Sequence, residues 1–369
     1  MDTRDRLRTR AETDKLAALL DMAPEELGFL ATLPADDVRT LREQAAASLF
    51  DGAPDMLDRI ARATKLVPAA VAAAISQKAL GPRLAAAVAG RLEPARAADI
   101  IDKLPVAFTA ASCAHLDPRR IAGIVDRLDE HLLVRISVAL AERGDHLTMG
   151  RFVGHLRDSA LTRILPQVAD AVVLRTGYAM DQPQRLGRVI ELMGEERLAR
   201  VIASAADGLW PQALAIAGMA PPEQRARIAT LTARQPAARL DTLVRTVAEQ
   251  NLWESLLPLV ALLSDEDRRA LAQLPSLGDP ETVTGIVPAV VATALWADFL
   301  PLVELLPGPS RQAIANAAAT LTDTELDALA REVDKQNLWD LVLPLVELMD
   351  DPSKERIFAL PSFQDQDVV

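Results

Sequence analysis

Apolar residues recur at three- and four-residue intervals along most of this chain, and no long stretch alternates with period two. That spacing puts one apolar stripe on a helix and denies a half-buried strand its alternating face, so the pattern predicts an all-α protein. One apolar segment is written three times, as QNLWESLLPLV at 250–260, TALWADFLPLV at 293–303 and QNLWDLVLPLV at 336–346. The four tryptophans, Trp210, Trp253, Trp296 and Trp339, stand 43 residues apart. A fixed period of this length marks a repeat architecture.

The register extends beyond tryptophan. Leucine precedes each one (Leu209, Leu252, Leu295, Leu338), and proline follows five residues later at Pro258, Pro301 and Pro344, with Ala215 in the first copy. A base stands fifteen residues on (Arg225, Arg268, Arg311, Lys354), and an aliphatic residue eighteen on (Ile228, Leu271, Ile314, Ile357). Each copy reads as a tryptophan segment, a short amphipathic helix and a third helix. The tryptophan segment is apolar on nearly every side and is expected to be the inner helix, its indole wedged between repeats. Its proline lacks an N–H and crowds the carbonyl four residues earlier, which predicts a kink or break near Pro258, Pro301 and Pro344. The junctions SDEDRR, PGPSRQ and DDPSKER supply N-caps for the second helix, and LPSLGDPE and ATLTDTE open the third.

Three helices in 43 residues resemble armadillo or HEAT-type repeats, which implies an α-solenoid, a superhelical array of short helical repeats. Armadillo importins clamp extended peptides with a Trp and an Asn one helical turn apart. Here Asn251 and Asn337 precede tryptophan by two residues, and Gly208 and Ala294 take that place elsewhere, so peptide clamping is not carried over.

Upstream the rhythm is shorter. RLEPARAADIIDKLP at 91–105 is followed by HLDPRRIAGIVDRLD at 115–129, each with an acid–proline helix start at Glu93–Pro94 and Asp117–Pro118. Apolar positions then match: Ala97, Ile100 and Ile101, against Ile121, Ile124 and Val125. This pattern resembles the cytosolic N-terminal superhelical domain of MgtE-type magnesium channels. The resemblance implies stacked short helices with an acidic face responsive to magnesium, although no magnesium ligand can be assigned to a particular residue. The expected organisation is an N-terminal helical cap at 1–76, MgtE-like short-helix repeats at 77–200, and four tryptophan repeats at 201–369, the last incomplete. The fourth copy stops after SKERIFALP with Phe358, Leu360 and Phe363 near its end, which predicts self-association or a partner at that repeat.

Half of the chain is apolar but only 3% is aromatic, enough for a large core built from Ala, Leu and Val. The net charge of −12 argues against nucleic acid, whose phosphates are bound through Lys and Arg. From Leu321 to Val369 there are 12 acids against 4 bases, −8 of the total, which a solvated face explains most simply. The start, MDTRDRLRTRAETDKL, carries no apolar signal core and reads as a charged helix. The uncharged run Thr282–Ala297 has 16 residues, short of the roughly 20 a membrane span needs. A cytoplasmic location is expected, since the lone Cys113 cannot form an internal disulfide.

Little in the chain suggests catalysis. His115, His131, His146 and His155 cluster near Cys113 but match no metal-ligand spacing, so neither metal nor cofactor is expected. No nucleophile elbow, P-loop or dinucleotide fingerprint is present. The acid pairs Glu195–Glu196 and Asp350–Asp351 fall at predicted helix starts, Tyr178 falls in an expected loop, and the terminal Asp367–Val368–Val369 matches a carboxylate-receptor tail only by its length. The expected function is therefore a non-enzymatic scaffold or adaptor holding a protein partner, with Glu254, Asp298, Asp340, Asp350 and Asp351 as candidate partner-surface residues. The alternatives are a carrier of an apolar small molecule in an internal channel, near Pro68–Ala74 or Ile286–Leu295, and a magnesium-responsive regulatory domain.

Overall fold

The predicted period-3.6 stripes are helices. A computed structural model describes residues 3–50 and 54–361, and every regular element in it is helical, with α-helices joined by 3-10 turns and one π-helical segment at Ser76–Leu80. No strand occurs among the described residues. Phe363 and the terminal Asp367–Val369 lie outside them. No helix among the described residues is long and apolar enough to cross a membrane.

Contacts divide the chain into two units, the first made chiefly of Asp5–Ser204 and the second of Ala205–Gly218 with Pro222 onward. In the first, the charged start forms the helix Thr3–Leu20, and the helices Ala35–Phe50 and Pro54–Thr64 follow. Short helices come next, among them Pro94–Ile101, Val106–Cys113, Glu130–Glu142, His146–Val153 and Asp158–Ile164. Their core is aliphatic, with Ala97, Ile100, Ala110, Ile121, Ile124 and Val125 all buried.

The two acid–proline starts diverge. Pro94 stands at the first turn of its helix, where its missing N–H costs nothing. After Pro118 the helix is delayed to Ala122–Val125. The reason is local: Asp117 Oδ1 accepts the backbone N–H of Arg119 at 3.0 Å, an Asx turn that competes with helix initiation.

The second unit holds the tryptophan copies, of which the first and third are three-helical. The first comprises Trp210–Met219, Pro222–Ala233 and Ala237–Glu249, and the third Trp296–Val303, Gly308–Ala319 and Asp323–Lys335. In the second copy, Trp253–Val260 and Asp265–Ala272 are followed by a third stretch broken into Pro275–Gly278, Pro280–Val283 and Ile286–Thr293. The fourth has Trp339–Glu347 and Asp351–Phe358. Polar residues cap at SDEDRR and DDPSKER and at the third-helix start ATLTDTE. At PGPSRQ the N-cap is Pro307, which supplies no side-chain cap, and Ser310 donates its hydroxyl to Leu277 O instead. Ser264 Oγ accepts from Asp267 N, Asp350 from Ser353 N at 3.0 Å, and Thr322 forms a capping box with Glu325. The helix does not break at the proline itself but ends soon after it, two or three residues past Pro258, Pro301 and Pro344. Only the final turn lies beyond the proline.

Candidate functional site

Tryptophan is the first residue of each repeated helix, and what precedes it is a chain reversal. Gly208, Asn251, Ala294 and Asn337, each two residues before a tryptophan, have φ of 84°, 51°, 55° and 55°. This left-handed conformation ends one helix and aims the next. In two copies the hydrogen bonds form a Schellman motif. Leu252 N–H donates to Val247 O at 2.8 Å with Asn251 N–H to Ala248 O at 3.3 Å, and Leu338 and Asn337 repeat this onto Val333 and Asp334. Ala294 N–H makes a single bond to Val290 O at 2.8 Å. Asn251 and Asn337 are thus backbone-reversal residues, the role Gly and Asn fill most readily. Leu252 then turns inward and is buried.

Trp210 and Trp253 face the third stretch of their own copy. Trp210 is 2% exposed, and its Nε1–H donates to Thr242 Oγ1 at 2.9 Å. Trp253 is equally buried, and the residue in Thr242's register, Gly285, lies so close that a Cβ there would sit 3.0 Å from the indole nitrogen. Ala328 stands in the same register, 32 residues after Trp296, and is exposed. Trp339 is only half-buried, and its Nε1–H donates to Asp334 Oδ1 at 3.1 Å. The recurrent base also acts within its copy. Arg225 donates to the carbonyls of Ala217 and Gly218, and Arg268 to that of Ala261 at 3.0 Å, closing the C-terminal end of each tryptophan helix.

The five candidate partner-surface acids differ in setting. Asp340, Asp350 and Asp351 are exposed, whereas Glu254 and Asp298 are half-buried. Asp298 pairs with Arg268 of the preceding copy at 3.3 Å, so part of its charge is committed inside the unit. Asp350 caps its helix, and the Ser353 hydroxyl and N–H hold its carboxyl below the usual range. An apolar cavity of about 60 Å³ lies among the last two copies, walled by Trp296, Phe299, Leu326, Trp339 and Val342.

The first unit contains a site that sequence reading missed, an ionic cluster on the charged N-terminal helix. Glu12 and Lys15 are buried, one turn apart. Lys15 Nζ lies 2.8 Å from both Glu12 Oε1 and Asp181 Oδ1, and Arg42 bridges the same two acids at 2.9 and 3.1 Å. Burial pushes the Asp181 carboxyl up, but Lys15 and Arg42 together outweigh it and hold it below its ordinary value. Beside it, a cavity of about 40 Å³ is lined by Arg39, Arg42, Arg119, Arg151, His155 and Asp117 among others. Arg151 is engaged by the carbonyls of Ala114 and Leu116, and Arg119 by Asp117 and Glu43. Each of these acids meets a base, so the arrangement locks helices together rather than presenting a reactive group.

The loop carrying Asp181 is held by Gly150, where a Cβ would come 2.5 Å from Ala179 O. Tyr178, expected in a loop, instead ends the helix Asp170–Tyr178 and donates its hydroxyl to Leu7 O at 2.8 Å. Burial pushes the Cys113 thiol up to about 12, and it lowers the pKa of His115 and His155. Among the described residues no group of three or more His, Cys, Asp or Glu could hold a metal ion. The only sequence clue to the ionic cluster was the placement of Glu12 and Lys15 among apolar i and i+4 positions. Comparison with protein-family models, with curated proteins and with solved structures returns no match.

Proposed function

We propose that this chain is a non-enzymatic helical-repeat scaffold, an α-solenoid of armadillo/HEAT-like copies preceded by shorter MgtE-like repeats, that holds a protein partner. The observation that supports it most is the division of labour within the 43-residue copy. The architectural positions (tryptophan, the leucine before it and the left-handed residue before that) keep one role in every copy. Exposed positions such as Ala297 and Asp340 change chemistry from copy to copy. In repeat proteins such variable outward positions carry specificity.

Asp340, Asp350 and Asp351 present an acidic face suited to a basic partner. The test is affinity capture by the full chain from its native cell, read by quantitative mass spectrometry beside Asp351→Lys. The scaffold reading expects proteins that the wild type retains and the variant loses. Capture of nothing above background, or of the same set at equal yield, overturns it.

The apolar cavity favours a second reading, a carrier of a small apolar molecule. At about 60 Å³ it is well below the roughly 300 Å³ at which ligand pockets begin. Native mass spectrometry of the purified chain separates the readings: a retained apolar adduct supports the carrier and the bare mass opposes it.

A further inference from the structure

The helix Trp339–Glu347 presents Asp340, Leu343 and Glu347 to solvent, spaced three and four residues apart on one face. In the earlier copies the residues in Leu343's register, Leu257 and Leu300, are buried, 6% and 3% exposed. Leu343 is 43% exposed. Neither Asp340 nor Glu347 forms an ion pair among the described residues. The face is thus a leucine flanked by two uncompensated acids.

The first unit carries its complement. Along Ala69–Ile75 and the π-helical turn Ser76–Leu80, Val71 and Ile75 are 45% and 47% exposed, and Lys78 follows on the same face. With Ala70, Ala74 and Ala79 they floor an open depression of about 420 Å³. Leu66 stands nearby, 86% exposed, next to exposed Lys65. Neither Lys65 nor Lys78 forms an ion pair among the described residues, and the neighbouring Asp58 is committed to Arg91 at 3.1 Å. Between Pro54 and Leu84 there are five bases against two acids, in a chain whose net charge is −12.

We infer that the Asp340–Leu343–Glu347 face of one copy docks on the Val71–Ile75–Lys78 depression of a second copy. Leu343 enters the alanine-floored depression, and the acids meet Lys65 and Lys78. Charge complementarity selects this occupant, because the acid excess after Leu321 is the chain's own counterpart to the basic apolar patch at Lys65–Lys78. Each copy carries both faces, so two copies that engage reciprocally close a dimer and copies that engage one face each build a larger array. It goes beyond the scaffold reading and stands whether or not a foreign partner is found.

The test is sedimentation velocity of the full chain across a concentration series at low and high salt. The inference expects mass that grows with concentration to a dimer or beyond and falls with added salt. Two doubly reversed variants sharpen it: Asp340→Lys with Glu347→Lys, and Lys65→Glu with Lys78→Glu. Each alone should remain monomeric with an unchanged helical circular dichroism spectrum. Mixed in equal amounts, they should associate again, because each reversed face then meets an opposite one. If a reversed pair fails to fold, Asp340→Asn with Glu347→Gln replaces it, and weakened association is the expected reading. A monomer at every concentration, association unmoved by the reversals, or a mixture that stays monomeric overturns the inference.

Discussion

The indole N–H of Trp210 donates to the hydroxyl of Thr242 at 2.9 Å, joining the first and third helices of one copy through a buried bond. Removing the acceptor leaves a donor inside the core, which costs about 1–3 kcal/mol, while serine keeps the bond. Thr242→Ala is expected to lower stability by that amount and Thr242→Ser by distinctly less. Urea unfolding of both variants checks this.

Gly285 fills the equivalent place beneath Trp253, and there the problem is space rather than bonding. A branched side chain would push against Nε1 and Cδ1, which a Cβ already approaches at 3.0 and 3.1 Å. Overpacking of this kind costs about 1–3 kcal/mol. Gly285→Val should therefore destabilise the second unit, and the tryptophan emission maximum should shift as the indole is displaced. An unchanged melting temperature and emission would contradict the packing described.

Ala294 carries φ 55° where the other copies have Gly208, Asn251 and Asn337. The left-handed conformation costs an alanine roughly 1 kcal/mol that glycine does not incur. Ala294→Gly is expected to raise stability by up to about 1 kcal/mol, and Asn251→Ala to lower it by a similar amount. Paired thermal melts measure both.

Asp181 sets the acid limit of the first unit. Its carboxyl is held below the ordinary aspartate value, about 3.9, by Lys15 and Arg42 against the opposing effect of burial. A carboxylate depressed in the folded state contributes stability that is fully present above the unfolded pKa. That stability is lost as pH falls through the folded one. The unit should unfold on acidification below about pH 4, and Asp181→Asn should be less stable at neutral pH with a flatter acid limb. Removing one partner of a buried ion cluster costs about 3–5 kcal/mol, so Lys15→Met should be strongly destabilising. Melting temperature as a function of pH reads both.

The all-helical class was legible because tertiary packing demands the same three- and four-residue spacing that a helix supplies. The caps were legible too, since Ser264, Thr322 and Asp350 act within three residues of their own position. Other features depend on neighbours distant in sequence. A helix beginning TRDRLRTRAETDK looks solvated until Arg42 and Asp181 are brought to Glu12 and Lys15. Thr242 and Gly285 share a register 32 residues after their tryptophans, but nothing shows that smallness matters there until the indole lies against them. Asn251 and Asn337 were visible as a pair, yet their role lies in the backbone angle rather than the amide.

The central claim is that the 43-residue motif is architecture, while binding lies in what differs between copies. Its most direct test measures the affinity of a captured partner and the melting temperature together, for one inward and one outward variant. Thr242→Ala should lower the melting temperature yet bind with unchanged affinity when folded, and Asp351→Lys should keep the melting temperature and lose affinity at least tenfold, about 1.4 kcal/mol. The reverse pattern, or affinity lost equally in both, would contradict the account.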